Sequence, residues 1–256
     1  MRITLVSGAD GAPFAHSLAA ALDPADELVV VAPTVRGHFS AGLLASPDLD
    51  ALLSSPSAPR TYAVADALAA VGYVPGWQRS DDLAVAARLI RTDLVAAGAS
   101  LTDATLAAAI RAGLPYRLLP ACDERAELRV VIGGDEPRAV HVEEYLADPG
   151  ALSPDQLLLV AEAPAVSAAV AEALRSTDVL VLGPSSRTLA IDPVLRTPGF
   201  VDLVPGTLPV LVVEHADTAP TDLVRVAGLR EADPGRARAV PADPAAVVAQ
   251  AREAVA

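Results

Sequence analysis

Two acidic residues that could bind a metal ion lie close together near position 50. Asp48 and Asp50 are two positions apart in the segment Ser-Pro-Asp-Leu-Asp, residues 46–50. Magnesium ions in phosphate-binding sites are commonly held by one or two carboxylates together with oxygen atoms of the substrate. The same segment also fits the start of a helix, with Ser46 as the N-cap and both carboxylates in the first turn. The spacing favours the helix start and leaves the metal function open.

A glycine-containing turn joins the first apolar segment to the helix predicted after it. It reads Ser-Gly-Ala-Asp-Gly-Ala over residues 7–12. Small residues at the start of a helix let backbone N–H groups approach a phosphate, so Gly8, Gly11 and Ala12 are candidate ligand-binding residues. Asp10 places a negative charge where the phosphate would lie, and the spacing differs from the dinucleotide-binding fingerprint. An ordinary strand-to-helix turn explains the segment equally well.

A second turn of small residues follows the apolar segment at residues 178–182. Pro184, Ser185 and Ser186 belong to this turn. Ligands of open α/β sheets bind outside the carboxyl ends of the strands, so these hydroxyl and amide groups could contact a nucleotide. A simple Pro-Ser turn is the alternative interpretation.

A pair of arginines lies in a segment with helical spacing. Arg88 and Arg91 are three positions apart, so they share one face of the predicted helix. Two guanidinium groups on one face could bind phosphate oxygens. A solvated helix face is the usual explanation of such pairs.

The composition excludes several classes of function. The net charge of −13 and the aromatic content of 3% argue against binding to nucleic-acid backbones or stacked bases. The chain contains no Lys, which excludes Schiff-base chemistry and P-loop lysines, and its lone Cys122 excludes a disulfide framework. No apolar run reaches the roughly 18 to 20 residues of a membrane span. The first residues show no cleavable leader, so we expect a cytoplasmic protein without membrane or nucleic-acid partners.

The order of apolar segments predicts an α/β fold. Short continuous apolar runs that alternate with helices indicate a parallel sheet covered on both faces. We predict a Rossmann-like three-layer fold with a mainly parallel sheet, formed as one domain over residues 1–256, with a mainly helical insertion at about 47–115. The predicted strands are 2–7, 27–32, 117–119, 127–132, 139–145, 178–182 and 208–213. The predicted helices are 13–22, 47–53, 64–71, 81–97, 102–112, 163–175 and 244–255, with Ser100 as an N-cap.

Taken in order, these motifs resemble the 2-phospho-L-lactate transferase family of coenzyme F420 biosynthesis, in particular its actinobacterial branch. The resemblance spans roughly residues 2–213. The family's opening G-G-x-G-G-A-x-F corresponds to residues 7–14, and its S-P-D-L-D is intact at residues 46–50. Its W-F-x-L-G-D-x-D-L-A-x-H-x-x-R-T matches without gaps at 77–92, and its G-P-S-N-P-x-x-S-I-G-P-I-L-x-x-P-G matches 183–199.

The resemblance implies a transfer reaction between small molecules. A phospholactyl or phosphoenolpyruvyl group would move from a GDP-activated donor to the deazaflavin Fo, with Mg²⁺ stabilising the charge and GMP leaving. It also implies roles for individual residues, which are to be tested. Asp82 and Arg91 would be catalytic, Asp50 would bind the metal, Trp77, Arg88 and Thr92 would bind the ligand together with the turn residues named above, and the protein could form a homodimer.

The departures from the family pattern fall on charged positions. The family's acidic turn N-T-G-D-D corresponds to residues 33–37, where both carboxylates are absent and Arg36 is present. Ala84 and Arg88 replace an Asp and a His. These changes favour an alternative function, a catalytically silent paralogue that binds a phosphorylated nucleotide-like ligand or a partner transferase. Both functions require that the turns near Gly8, Asp50, Asp82 and Ser185 meet at one crevice.

Overall fold

A parallel sheet forms the centre of the protein. The computed structural model describes residues 1–54, 58–73, 79–133, 136–148, 154–215 and 237–255. All neighbouring strands of its six-stranded sheet pair in parallel. Their order across the sheet is β11 (Ala237–Val240), β10 (Val210–Val213), β9 (Val179–Leu182), β1 (Arg2–Val6), β2 (Glu27–Ala32) and β5 (Arg117–Pro120).

Helices cover both faces of this sheet. Successive residues of each strand point to opposite sides, so the apolar strands present side chains that must be buried on both faces. Leu5 and Val30 belong to the core on one face, whereas their neighbours Val6 and Val31 belong to the core on the other. The first face packs against α1 (Ala12–Ala21), α2 (Pro47–Leu53), α5 (Leu101–Ala112) and α9 (Pro244–Val255). The second packs against α7 (Ala168–Ser176) and α8 (Asp192–Leu195). The predicted three-layer α/β fold is confirmed.

The chain between β2 and β5 is mainly helical, as the sequence predicts. It begins with a hairpin of β3 (His38–Ser40) and β4 (Leu43–Ala45). Helices α2, α3 (Ala63–Ala70), α4 (Asp82–Ala96) and α5 follow. Ser100 caps α5 as predicted, since its hydroxyl accepts the backbone N–H of Asp103 at 3.0 Å. The organisation of residues 1–256 as one domain stays a prediction.

A small antiparallel sheet follows β5. Its strands β6 (Ala126–Ile132), β7 (Arg138–His141) and β8 (Pro154–Ala161) are arranged in the order β7-β6-β8. The backbone N–H of Leu128 donates to the carbonyl of Val35 at 2.6 Å, which joins this sheet to the segment after β2. The sheet therefore brings residues of the second half of the chain to the carboxyl edge of the parallel sheet.

Three sequence predictions are wrong in detail. The strand predicted over 139–145 ends at His141, whose ring nitrogen accepts the N–H of Glu143 and caps helix α6 (Val142–Ala147). The helix predicted from 163 begins at 168, because Ser167 is its N-cap. Strand β8 is absent from the predicted strands. None of the described helices is both long enough and apolar enough to cross a membrane.

Candidate functional site

Two loops from distant parts of the sequence meet at the carboxyl edge of the parallel sheet. The backbone N–H of Gly8 donates to the hydroxyl of Ser185 at 3.0 Å, and the hydroxyls of Ser7 and Ser185 are 3.1 Å apart. Ser185 is fully buried. A Cβ atom on Gly11 would lie 2.2 Å from the Ser7 hydroxyl and 2.4 Å from the Ser185 hydroxyl, so glycine is required for this close approach. Of the four turns predicted to meet at one crevice, those at Gly8 and Ser185 meet, and Asp48 brings the start of α2 to the Gly8 loop, whereas Asp82 contacts the start of helix α3 instead.

The backbone N–H groups of these loops are occupied by acidic side chains of the protein itself. Ala9 donates to Asp48 Oδ1 at 2.8 Å. Asp10 accepts the N–H of Gly11 at 3.1 Å through Oδ1 and the N–H of Ser186 at 2.7 Å through Oδ2. Carboxylates thus take the donors that a phosphate would use. The loops bind anions in this structure, but the anions belong to the chain.

The remaining predicted ligand-binding residues of the two loops have structural contacts. The backbone N–H of Ala12 donates to the carbonyl of Ala9. The hydroxyl of Ser186 accepts the N–H of Leu189 at 3.3 Å and caps the short π-helical turn at Arg187–Ile191. The carbonyl oxygen of Pro184 lies 3.5 Å from the place of a Cβ on Gly11. These contacts position the loops and leave ligand binding as a prediction.

An arginine lies between two carboxylates next to these loops. Arg36 donates through Nε to Glu143 at 2.6 Å and through Nη1 to Asp48 Oδ1 at 3.2 Å. We call Arg36, Asp48 and Glu143 the Arg36 cluster. Asp48 is 2% exposed, whereas the side chains of Arg36 and Glu143 are 16% and 18% exposed. The cluster has one positive and two negative charges, so this corner of the molecule is acidic despite the arginine.

The Arg36 cluster changes the ionisation of its members. Burial raises the pKa of Asp48 to about 6, although Arg36 and the N–H of Ala9 oppose the rise. Burial also opposes the positive charge of Arg36, but the neighbouring carboxylates of Asp48, Glu143 and Asp10 outweigh it and raise the pKa of the guanidinium. The second carboxylate oxygen of Asp48 is buried and has no hydrogen-bond partner among the described residues.

The other acidic residue of helix α2 has the opposite arrangement. Asp50 Oδ2 accepts from Arg88 Nε at 2.8 Å, and Asp50 Oδ1 lies 2.7 Å from Arg91 Nη2 without the alignment of a hydrogen bond. We call these three residues the Asp50 clamp. Their side chains are 3% to 11% exposed. The clamp has two positive charges and one negative charge.

The Asp50 clamp joins helix α4 to the hairpin and to helix α2. Arg91 Nη1 donates to the carbonyl of Leu44 at 3.1 Å, and the hydroxyl of Thr92 accepts the N–H of Leu44 at 2.8 Å. Arg88 also donates to the hydroxyl of Ser80 at 2.6 Å. These groups are occupied by protein partners in this structure, and the catalytic role of Arg91 and the ligand-binding roles of Arg88 and Thr92 stay predictions. The sequence alternative of a solvated helix face is wrong, since both arginines are buried.

Asp82 does not join either cluster. Its carboxylate accepts from the Thr61 hydroxyl at 2.7 Å and from the N–H groups of Ala63 and Val64 at 3.1 Å each. These hydrogen bonds lower the pKa of Asp82 and place it at the start of helix α3. Asp82 thus caps helix α3 in this structure, and its catalytic role stays a prediction. Trp77, the other residue predicted from this segment, lies outside the described residues.

The residues predicted for magnesium do not fit that ion. Asp50 lies between two guanidinium groups, which would repel a dication, and its oxygens are already used. Within the described ranges, no group of three or more His, Cys, Asp or Glu side chains is arranged to hold a metal. Asp50 is therefore corrected from a metal ligand to the anion that neutralises two buried arginines.

An apolar cavity of about 540 Å³ opens beside the loops, in the size range of sites for small organic ligands. Residues that follow β2 and β5 line one side, and strand β8 lines another. Thr34 and Val35, which directly precede Arg36, belong to its wall. A second cavity of about 630 Å³ lies at the opposite, amino-terminal edge of the sheet, far from these groups. The cavity at the carboxyl edge therefore joins the Arg36 cluster in the candidate site.

Sequence reasoning missed one part of this site. Glu143 is 107 positions from Arg36, and no motif links the two residues. The sequence identifies Arg36 as an added positive charge. In the structure the carboxylates of Asp48 and Glu143 more than balance this charge.

The sequence of this chain is similar to those of one known family. The family described as 2-phospho-L-lactate transferase CofD matches residues 4–227. A phosphoenolpyruvate transferase of Kitasatospora aureofaciens is 31% identical over 220 residues, which cover 79% of this chain and 67% of that protein. A phosphoenolpyruvate transferase of Mycolicibacterium smegmatis is 34% identical over 145 residues, 55% of this chain and 44% of that protein.

Solved structures are similar in fold. A crystal structure from Bacillus halodurans superimposes with a TM-score of 0.63 at 14% identity and covers 93% of this chain and 79% of that one. A second crystal structure from the same organism, described as a member of the upf0052 family, gives a TM-score of 0.59 at 14% identity, covering 83% and 68%. The sequence match over residues 4–227 is what assigns the family: the chain belongs to the 2-phospho-L-lactate transferase family.

Proposed function

We propose that the chain is a transferase of coenzyme F420 biosynthesis that moves a phosphoenolpyruvyl group from a GDP-activated donor to the deazaflavin Fo. Family membership supports the transferase class and the pathway. The names of the relatives, phosphoenolpyruvate transferase, support phosphoenolpyruvyl over phospholactyl as the transferred group.

The proposed reaction exchanges one P–O bond for another. The hydroxyl oxygen of Fo attacks the phosphorus that carries the enolpyruvyl group and loses its proton, and the bond from that phosphorus to GMP breaks. Such a reaction depends mainly on positioning and on stabilisation of charge on the phosphate oxygens. The protein must therefore hold a highly charged donor and a largely apolar acceptor next to each other.

One observation carries the proposal. The segment of residues 34–36 places two residues in the wall of the apolar cavity and the next one, Arg36, in contact with Asp48 beside the Gly8 loop. A cation and N–H donors thus adjoin an apolar cavity at the carboxyl edge of the sheet, where ligands of α/β folds bind. We assign the cavity to the ring system of Fo and the loops to the phosphates of the donor.

The test is a transfer assay with purified protein. Fo is incubated with the phosphoenolpyruvyl or the phospholactyl form of the GDP-activated donor, with and without Mg²⁺, and GMP and product are measured by mass spectrometry. We expect product with the phosphoenolpyruvyl donor. Product only with the phospholactyl donor would change the transferred group, and no GMP under any condition would contradict the proposal.

A cavity variant tests the assignment of the acceptor site. Thr188 is an exposed residue in the cavity wall, so Thr188→Trp fills part of the space and should raise KM for Fo several-fold. Val71→Trp places the same side chain at an exposed position outside the cavity wall and should leave KM unchanged. Equal KM values for the two variants would exclude this cavity as the Fo site.

The alternative function, a silent paralogue that binds a phosphorylated ligand, is favoured by the loss of the acidic turn at residues 33–37 and by the pairing of Asp48 and Asp50 with arginines. The same assay separates the two functions, because a silent protein would be stabilised by GDP without forming GMP. The cytoplasmic location, the homodimer, the use of Mg²⁺ and the absence of nucleic-acid and membrane partners stay predictions.

A further inference from the structure

An exposed carboxylate fastens the two loops of the candidate site together. Asp10 is exposed, yet both of its oxygens accept backbone N–H groups, one from Gly11 and one from Ser186. These donors belong to loops that are 176 positions apart in the sequence. Two N–H groups that converge on one anion from different loops form an anion site, and this site is filled by a side chain of the protein itself.

A cation with unused donors lies near this carboxylate. Arg36 has five N–H donors, and its hydrogen bonds to Glu143 and Asp48 use Nε and one hydrogen of Nη1. In the described part of the chain, Nη2 has no hydrogen-bond partner, and the side chain is 16% exposed. Asp10 is close enough to contribute to the raised pKa of Arg36.

A buried polar atom in the same corner is also unsatisfied. Asp48 Oδ2 is buried on a side chain that is only 2% exposed, and it has no hydrogen-bond partner among the described residues. Its other oxygen, Oδ1, accepts hydrogen bonds from the N–H of Ala9 and from Arg36 Nη1. This oxygen therefore lies between the Gly8 loop and the guanidinium. When ionised, Oδ2 can only accept a hydrogen bond, so a bound ligand would have to present a donor to it, and the atom does not itself attract an anion.

We propose that the Asp10 carboxylate occupies the position of a substrate phosphate, and that a diphosphate ligand displaces it to bind the N–H groups of Gly11 and Ser186 beside Arg36. The identification of this ligand with the GDP-activated donor rests on the proposed function, but the displacement itself does not. Asp10 is exposed and can rotate into solvent, where its charge is fully hydrated, while the two backbone donors stay in place.

The displacement predicts opposite effects at two positions. Asp10→Ala removes the internal competitor and should tighten binding of inorganic pyrophosphate and of GDP about tenfold, since a site that is mostly closed binds in proportion to the fraction of molecules in which it is open. Arg36→Gln removes the cation and should weaken binding of both probes about tenfold or more. Binding is measured by titration calorimetry on the full chain.

A neutral variant separates displacement from simple repulsion. Asp10→Asn removes the same charge as Asp10→Ala but keeps an oxygen that can accept one of the two N–H groups. Displacement predicts that Asp10→Ala binds pyrophosphate several-fold more tightly than Asp10→Asn. Asp93→Ala removes an exposed charge elsewhere on the molecule and should leave binding unchanged.

Two results would overturn the inference. Equal affinities of Asp10→Ala and Asp10→Asn would show that charge alone acts, and unchanged or weaker binding by Asp10→Ala would show that the carboxylate supports the site. Thermal unfolding checks that each variant is folded, and Asp10→Gly provides a second folded variant without the carboxylate. If the transfer assay fails while Asp10→Ala still binds pyrophosphate more tightly, the proposed function is wrong and the displacement stands.

Discussion

Two clusters on one short helix show how differently the same residue types are used. Asp48 and Asp50 are separated by one residue of α2, and each contacts arginine. In the Arg36 cluster one guanidinium lies between two carboxylates, partly exposed and with unused donors. In the Asp50 clamp one carboxylate lies between two guanidiniums, and all three groups are buried. The first arrangement suits ligand exchange, whereas the second holds α2, α4 and the hairpin together.

The largest effect is expected from breaking the Asp50 clamp. Asp50→Asn leaves two buried guanidiniums without a counter-charge and should lower the free energy of unfolding by about 3–5 kcal/mol. Urea unfolding at neutral pH measures the change. Asp66→Asn, which breaks the exposed Arg79–Asp66 pair, is the matched control and should cost less than about 1 kcal/mol. Similar losses in both variants would remove the distinction between a buried clamp and a surface pair.

The next effect is a pH dependence that only Asp48 should produce. Its pKa of about 6 exceeds the usual value near 4, so the folded protein binds this proton more tightly than the unfolded chain does. The stability that this proton provides is complete at low pH and is lost as the pH rises through 6. Its contribution to the free energy of unfolding therefore falls by about 2 kcal/mol between pH 4 and pH 7.

Asp48→Asn should remove this pH dependence, because an amide does not titrate in this range. The difference in unfolding free energy between the variant and the natural protein is measured by urea unfolding across that pH interval, and it should grow in favour of the variant as the pH rises. A difference that does not vary with pH would show that Asp48 titrates normally and that the corner is more hydrated than its burial indicates.

The smallest effect is expected at the open side of the Arg36 cluster. Glu143→Gln keeps an oxygen for Arg36 Nε but removes a charge from a partly exposed pair, so stability should change by less than about 1 kcal/mol. Pyrophosphate binding should become tighter, by about two- to threefold, because the corner is less acidic. Glu144→Gln on the same helix is the control for both measurements. A loss of stability as large as that of Asp50→Asn would contradict the division between the two clusters.

The sequence predicted the parts of the fold that depend on local pattern. Continuous apolar runs such as residues 30–32 are buried on both faces, and this is why the parallel sheet could be recognised. The prediction that Ser100 is the N-cap of α5 is also confirmed. The prediction failed at residues 139–145, where His141 ends a strand and starts a helix, because a short apolar segment fits both periods.

The candidate site was predicted only in part, for a physical reason. The contact between Gly8 and Ser185 follows from the topology, since both turns lie at the carboxyl ends of neighbouring strands. The partners of Asp48, Asp50 and Asp82 follow from side-chain directions and from a second sheet that carries Glu143 to Arg36. Residue spacing predicts neither the side-chain directions nor the position of the second sheet. Charges that were expected to contact a ligand are instead paired with one another.

The packing around Gly11 has a consequence for how this protein can evolve. A methyl group at position 11 would overlap with both serine hydroxyls, one from the residue directly after β1 and one from the loop after β9. Position 11 is therefore free to change only when both serines become smaller, and drift at any one of these three positions is restrained by the other two. In an alignment of descendants of this chain, positions 7, 11 and 185 should vary together, as a record of one steric contact.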